Sequence, residues 1–498
     1  MSRATRMAVL GLALLAGRAR AESGWREIEA PHVTLRTDLG AAAARDAALT
    51  VERYRAQIIA AAWPRATLPA TRIDMTVFAN GLDFEHNFGR NLAGVFFHEV
   101  PPYAVMYGTA DRWEHRASLA AQETTSILRH ELVHHLAATV YRRQPRWFAE
   151  GLAQFLETVR PAEDGKSVVV GAVNLEAMQK YNAFRSLHVT DALAWSGKLD
   201  GLPENTIHGL YGLSWLLVHW LFNTHPEQFN QLQGLLARGI DPDKAWKIIL
   251  PGLNTPDLDA ALHQYVKHGD YNEFLAPYTP PAPELRETPL SEADVHAERA
   301  RVALAAARGT TDESSRKEEA SRELAAALKL DPGNGSALVL QARSTPVTER
   351  AALARRITEA HPADARGWVL LGQALARDPG ASAEREAAFK KAIDLKPDNP
   401  TPLNDLAWLY VQQGKATQAA PLITKAIQLA PYNPSMLDTL AAVQAALGRC
   451  SEAAASEARA LDALPDRASS QTRSRFEERL EQYRTGCTSG APPTATGG

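Results

Sequence analysis

The chain has 498 residues, 45% of them hydrophobic and 22% charged, with a formal net charge of −3. That length exceeds one typical domain and predicts roughly two to four. The near-balanced charge excludes the basic signature of a nucleic-acid binder, and beyond the N-terminus no stretch reaches the roughly 18 uninterrupted apolar residues of a membrane-spanning helix.

In chain order the first element reads as a leader. Arg3 and Arg6 precede the apolar run Met7 to Ala16, and small Ala19 and Ala21 flank Arg20. This predicts a secretory signal peptide over 1–21 with cleavage after Ala21; the alternative is a buried N-terminal helix. Cleavage removes four arginines and no acids, which takes the formal charge from −3 to −7. No cysteine stands at the cut, so a lipid anchor is not expected. The expected product is periplasmic or secreted, with no transmembrane segment.

Residues 22–275 read as a mixed α+β domain. Val33 to Leu35 and Arg72 to Phe78 have strand character, and the Ala-rich stretch Ala41 to Trp63 between them is helical. Gly94 to Val100 and Tyr103 to Tyr107 read as a hairpin around Pro101-Pro102, whose prolines favour a sheet edge. After Arg116 the pattern is almost wholly helical. Residues 276–290 are proline-dense and predict a stiff linker without regular hydrogen bonding, so residues 22–275 are expected to fold alone. An α-helical solenoid over 291–466, a polar capping helix within 467–486 and a disordered tail over 487–498 complete the chain.

The solenoid is legible as a repeat. Pro397, Pro431 and Pro465 are 34 residues apart, and Ala392, Ala426 and Ala460 stand five before them. Leu371, Leu406 and Leu440 head the units, each followed by a small residue, Gly372, Ala407 or Ala441. Gly414 and Gly448 mark the turns, with Ala419 and Ala453 after them. Ala327 with Pro332, and Pro362, suggest two degenerate units upstream. The pattern resembles the tetratricopeptide repeat, with Trp368 at its opening aromatic position. The resemblance implies a groove for a protein partner. Cys450, at the last turn, and Cys487 are the only two cysteines and are expected to bridge in an oxidising compartment.

Chemistry concentrates in Ser126-Ile-Leu-Arg-His-Glu-Leu-Val-His-His135. His130 and His134, four apart, project from one helix face and suit one zinc ion, Zn2+. Glu131 is rotated by about 100° from His130, beside a metal without ligating it. Leu128, Leu132 and Leu136 form the opposite, inward face, and Thr124 or Thr125 is a candidate cap. Two histidines hold zinc weakly, and catalytic sites use three protein ligands. The third candidate is Glu150 in Pro145-Arg-Trp-Phe-Ala-Glu-Gly-Leu-Ala-Gln-Phe-Leu156, where Phe148, Leu152, Phe155 and Leu156 make the buried stripe. Gly151 leaves room for a close helix crossing. The plain alternatives are two packed histidines on an ordinary helix and a surface carboxylate at Glu150. There is no Ser/His/Asp arrangement, Walker-type loop or Cys-x-x-Cys.

Trp147-Phe-Ala-Glu-Gly-Leu-Ala-Gln-Phe after a His-Glu-x-x-His helix resembles the peptidase-MA-like group of gluzincin zinc metallopeptidases. Ile28 to Thr37 is similar to that group's first strand, and the similarity spans roughly residues 25–270, with its specific motifs in 126–157. It implies zinc held by His130, His134 and Glu150, Glu131 as the base that takes a proton from water, and a peptide or protein substrate. In many gluzincins an acid one turn beyond the ligand Glu supports a ligand His; Gln154 stands at that place and leaves the histidine less basic. No Gly-x-Met-Glu-Asn segment is present, which favours an endopeptidase. Tyr211, and after it His208, are candidate oxyanion donors, with plain packing the alternative for both. Gly94 to Glu99 is a candidate substrate-pairing edge, and His135 reads as a helix-surface residue. The rival reading is a tetratricopeptide scaffold whose front domain is weakly active or inactive. A periplasmic assembly-quality protease ranks below both, because such enzymes carry their third ligand further along the chain.

Overall fold

The structure, a computed structural model, describes residues 22–486 except 70, 91, 93, 98, 114–126, 185, 196–201, 253, 254, 270, 309–311 and 465–467. The leader over 1–21 with its cut after Ala21, the caps at Thr124 and Thr125, Pro465, Cys487 and the tail over 487–498 lie outside the described residues.

The chain begins with β1 (Glu22–Glu29), β2 (Val33–Thr37), α1 (Ala41–Ala62), β3 (Ile73–Phe78), α2 (Gly81–Phe88), β4 (Gly94–Phe97) and β5 (Tyr103–Tyr107). The helical region follows with α3 (Ile127–Val140), α4 (Arg146–Leu156), the short strands β6 (Arg160–Pro161) and β7 (Ser167–Val170), α5 (Leu175–Ala183), α6 (Val189–Leu193), α7 (Glu204–Thr224), α8 (Pro226–Ala237), α9 (Pro242–Ile249) and α10 (Thr255–His268). Then come β8 (Phe274–Pro277) and β9 (Arg286–Ser291). The main sheet runs β4-β5-β3-β2-β1-β9, with β2, β3 and β5 parallel and the others antiparallel to their neighbours. The expected hairpin is present, and β4 is an edge strand. The main core lies among α1, one sheet face and α3, α4 and α7, with Tyr54, Met75, Leu132, Phe148, Phe155 and Trp215 fully buried. Burying a side chain of this size stabilises by about 1.5–3 kcal/mol.

Among the described residues the array consists of five helix pairs. They are α11 (Glu292–Ala307) with α12 (Glu313–Leu330), α13 (Gly335–Ser344) with α14 (Val347–Ala360), α15 (Ala365–Ala374) with α16 (Ser382–Leu395), α17 (Pro400–Gln412) with α18 (Ala416–Leu429), and α19 (Pro434–Ala446) with α20 (Cys450–Asp462). The polar helix α21 (Ser470–Arg484) follows as the expected cap. Small residues sit where the paired helices touch. Ala407, Ala419, Ala426, Ala441, Ala453 and Ala460 are all fully buried, and a Cβ on Gly372 would stand 2.4 Å from the Phe389 ring. Gly414 and Gly448 take φ of +71° and +78°, the left-handed turn that ends a helix. Cys450 is disulfide-bonded, and the one other cysteine in the sequence is Cys487.

The linker over 276–290 is corrected by the structure. β8 pairs with β7, Tyr278 donates its N–H to the Lys166 carbonyl at 2.7 Å, and β9 adds the sixth strand to the main sheet against β1. Prolines fit because β9 is an edge strand, where Pro289 opposite Arg26 breaks no second ladder. A capping box between Ser291 and Asp294 then starts α11 directly. α11 buries Val295, Val302 and Ala305 against Trp25, Phe78, Tyr103 and Val105 of the front sheet and Phe84 of α2. Polar contacts reinforce this: Arg301 Nη2 donates to Asp74 at 2.8 Å and lies 3.9 Å over the Tyr103 ring, while Thr76 donates to Glu298. The first array helix is therefore part of the front core, and no boundary at 275 separates two independent units.

Candidate metal centre

α3 places its ligand candidates on one side because residues four apart are one turn apart. Leu128, Leu132 and Leu136 anchor the other side in the core. α4 crosses α7 so closely that a Cβ on Gly151 would stand 2.2 Å from the Ser214 carbonyl oxygen. This close crossing brings the adjacent residue, Glu150, in toward α3. Glu150 is 3% exposed, which rules out the surface alternative.

Three donor atoms converge. His130 Nε2 and His134 Nε2 are 3.1 Å apart, and Glu150 Oε2 is 3.4 Å from the first and 3.5 Å from the second. Three ligands on a tetrahedral ion with bonds of about 2.0–2.1 Å stand roughly 3.3–3.4 Å from one another. The donor set and its spacing therefore fit zinc. Among the described residues, this is the group of three that meets metal-ligand proximity.

The second tier differs from the sequence expectation. His130 Nδ1 lies 2.6 Å from Glu157 Oε2, and Asn174 Nδ2 donates to Glu157 Oε1 at 2.7 Å. The acid that orients His130 is thus Glu157, at the C-terminal cap of α4. Gln154, one turn after Glu150, turns away: its amide donates to the Tyr211 carbonyl at 3.0 Å and to the Glu150 carbonyl at 3.3 Å. The inference that Gln154 weakens the histidine's support is corrected. Burial opposes charge on His130, but Glu157 and Glu150 outweigh it and hold its pKa well above the usual imidazole value. Burial likewise opposes charge on Glu150, yet His134, His130 and Arg146 hold it well below the ordinary carboxylate range. Arg146, one turn before Glu150, contributes through Nη2 at 3.0 Å from Glu150 Oε1, so the two carboxylate oxygens face different partners.

Tyr211 comes to the same place from α7. Its pKa is pushed up to about 12 by burial and by the nearby Glu150 and Glu131, with Arg146 opposing. It therefore keeps its proton at neutral pH and remains a donor. Its ring stands 5.4 Å from Trp195, edge to face. His208, half-buried on α7, is not in the convergent set. Glu131 lines a narrow cleft between α3 and the sheet edge, with Gly94, Val95, Phe96, Ala104, Met106, Ile127 and Leu128. His135 is not a surface residue: it is 5% exposed, 3.1 Å from Thr71 Oγ1, with its ring 5.8 Å from that of Tyr432.

Sequence reasoning missed the roles of Arg146, Glu157 and Asn174. The first two carry a signal, since positions four before and seven after Glu150 share its helix face. Asn174 carries none, because a loop and a second sheet separate it from the helix it supports.

Two family models match the sequence. One, described as a protein of unknown function (DUF1570), covers residues 124–240, which include α3, α4 and Tyr211. The other, the tetratricopeptide repeat, covers residues 401–433, the α17–α18 pair. The C-terminal region is thus a tetratricopeptide array, a kind of surface that binds proteins. No curated protein matches the chain. Similar solved structures include a thermophilic tetratricopeptide protein of Thermus thermophilus, at 21% identity over 36% of this chain and 99% of that one, with a TM-score of 0.31. PilW, a widely conserved type IV pilus biogenesis factor, matches at 18% identity over 38% of this chain and 92% of its own, TM-score 0.30. The pilF protein of Pseudomonas aeruginosa matches at 16% over 39% and 88%, TM-score 0.30. Likeness at this level carries no argument about function. No described helix is long and apolar enough to cross a membrane.

Proposed function

We propose that the chain is an exported zinc-dependent peptidase, acting as an endopeptidase, whose tetratricopeptide array binds protein. The observation that carries it is the convergence of His130 Nε2, His134 Nε2 and Glu150 Oε2 at 3.1–3.5 Å; Glu131, next to His130 on α3, lines the cleft between that helix and the sheet edge. His130, His134 and Glu150 would hold the metal, with Glu157 and Arg146 fixing their orientation. Zinc in such a site supplies Lewis-acid polarisation of a carbonyl and lowers the pKa of water. Glu131 takes the proton from the attacking water and passes it to the leaving amine. Tyr211, protonated at neutral pH, donates toward the oxygen that gains negative charge. The edge of β4 pairs with an extended substrate backbone along the cleft. The disulfide at Cys450 supports an oxidising compartment and so the periplasmic or secreted placement.

A second reading is favoured by the match of the repeat model: a tetratricopeptide scaffold whose metal-binding front domain is silent. One experiment separates the two. Glu131→Gln keeps the ligands and should retain about one zinc per chain, while cleavage of envelope proteins or a peptide library drops about 10²–10⁴-fold. His134→Ala should lose the metal. Cleavage by Glu131→Gln at the wild-type rate defeats the peptidase mechanism; zinc binding with no chelator-sensitive cleavage by the wild type supports the scaffold.

A further inference from the structure

The array leaves the front domain at α11 and comes back to it at α18–α20. The return contacts fall on α3, on the residues just after it and on Val100. His135, adjacent to the ligand candidate His134, is buried against Tyr432, which lies between α18 and α19. Just after α3, the Arg142 carbonyl accepts from Arg459 Nε at 3.1 Å, and Arg143 Nη2 pairs with Asp462 Oδ2 at 2.8 Å. Between the two ends, Val100, beyond the β4 edge, packs on the cluster formed by α16 to α19. The array is thus fixed at its first helix and again, at its fourth and fifth helix pairs, on the helix that carries His130, Glu131 and His134 and on the residues just after it.

We propose that the last array units are an intramolecular ligand of α3, so that the curvature of the array and the geometry of the metal ligands are coupled. A tetratricopeptide array behaves as a spring of stacked units, each touching only its neighbours. A protein seated in its groove that changes its curvature shifts α18–α20, and through His135, Arg142 and Arg143 it shifts the ligand face of α3. By linkage the coupling is reciprocal: metal binding must tighten the α3–array contact by the same factor. The metal half of this inference rests on the zinc reading above; the contact half does not.

The test uses the full chain with two array-side changes, Tyr432→Ala and Asp462→Lys. Both leave every front-domain residue in place, so an effect on the front domain must travel through the contact. Zinc affinity is read by competition with a chromogenic chelator, and amide exchange is read over residues 127–143 and 416–462. Coupling of ordinary strength weakens zinc binding about 5-fold or more and speeds exchange in α3. In the wild type, added zinc slows exchange in α18–α20. Wild-type zinc affinity and α3 exchange in both variants, with the array still helical, would overturn the proposal. If the wild type binds no zinc, the metal reading fails separately, and α3 exchange in the two variants still decides whether the array holds the helix.

Discussion

Glu157→Gln tests the assignment on which the candidate metal centre departs most from its sequence pattern. The Glu157 carboxylate is 7% exposed, receives His130 Nδ1 at 2.6 Å and is held by Asn174 at 2.7 Å. That bond fixes the imidazole tautomer with Nε2 turned toward His134 and Glu150. An amide keeps the shape and can accept one hydrogen bond, but it removes the charge that, on the proposed zinc reading, makes His130 a better ligand. Loss of such a partner typically weakens metal binding about 10–100-fold, or roughly 1.4–2.8 kcal/mol at 1.4 kcal/mol per decade. Gln154→Leu is the matched contrast. Its amide donates only to two backbone carbonyls, so its loss costs folding stability of about 1 kcal/mol per hydrogen bond and leaves the ligands untouched. Competition against a chelator should therefore separate the pair: a raised zinc Kd for Glu157→Gln, and an unchanged Kd with a lower apo Tm for Gln154→Leu. If Gln154→Leu weakens zinc as much as Glu157→Gln does, the one-turn acid position is the supporting one after all and the assignment of Glu157 fails.

Other outcomes follow from the packing. Gly151→Ala places a methyl 2.2 Å from a backbone oxygen of α7, and overpacking of this kind costs about 1–3 kcal/mol, measurable as a lower midpoint in denaturant; an unchanged midpoint refutes the close crossing. A fragment of residues 22–275 loses β9 and α11 and uncovers the apolar face around Trp25, Phe78 and Tyr103, so it should aggregate or melt without cooperativity, and a well-dispersed monomeric NMR spectrum would refute the shared core. Glu457 is fully buried beside Asp438, and its pKa is pushed up to about 9 by burial and by that neighbour, with Arg479 opposing. Its proton is bound in the folded state but released in the unfolded one above about 4.3, so its contribution to stability is complete below that pH and is lost as pH rises toward 9. Glu457→Gln should melt higher than wild type at pH 8 and like it at pH 4; equal melting at both values refutes the assignment.

What was legible in the sequence is what local periodicity dictates. Residues four apart share a helix face wherever the helix lies, so His130 and His134 were readable as a pair. A repeat of 34 residues that returns proline and alanine to the same places describes stacked helix pairs, because each unit meets only its neighbours. Gly151 was readable as a crossing point, since only a missing side chain lets backbones approach so closely. Tertiary structure decided what depends on distant segments. Gln154 and Glu157 both follow Glu150 on one helix, and choosing between them needs the position of α3, whose His130 is 27 residues away from Glu157. The prolines of 276–290 are compatible with a linker or with an edge strand, and only the open side of β1 selects the strand. His135 is polar and next to His134 on α3, and nothing local distinguishes solvent from Tyr432, because that contact exists only once the array has curved back to the helix that bears the candidate ligands.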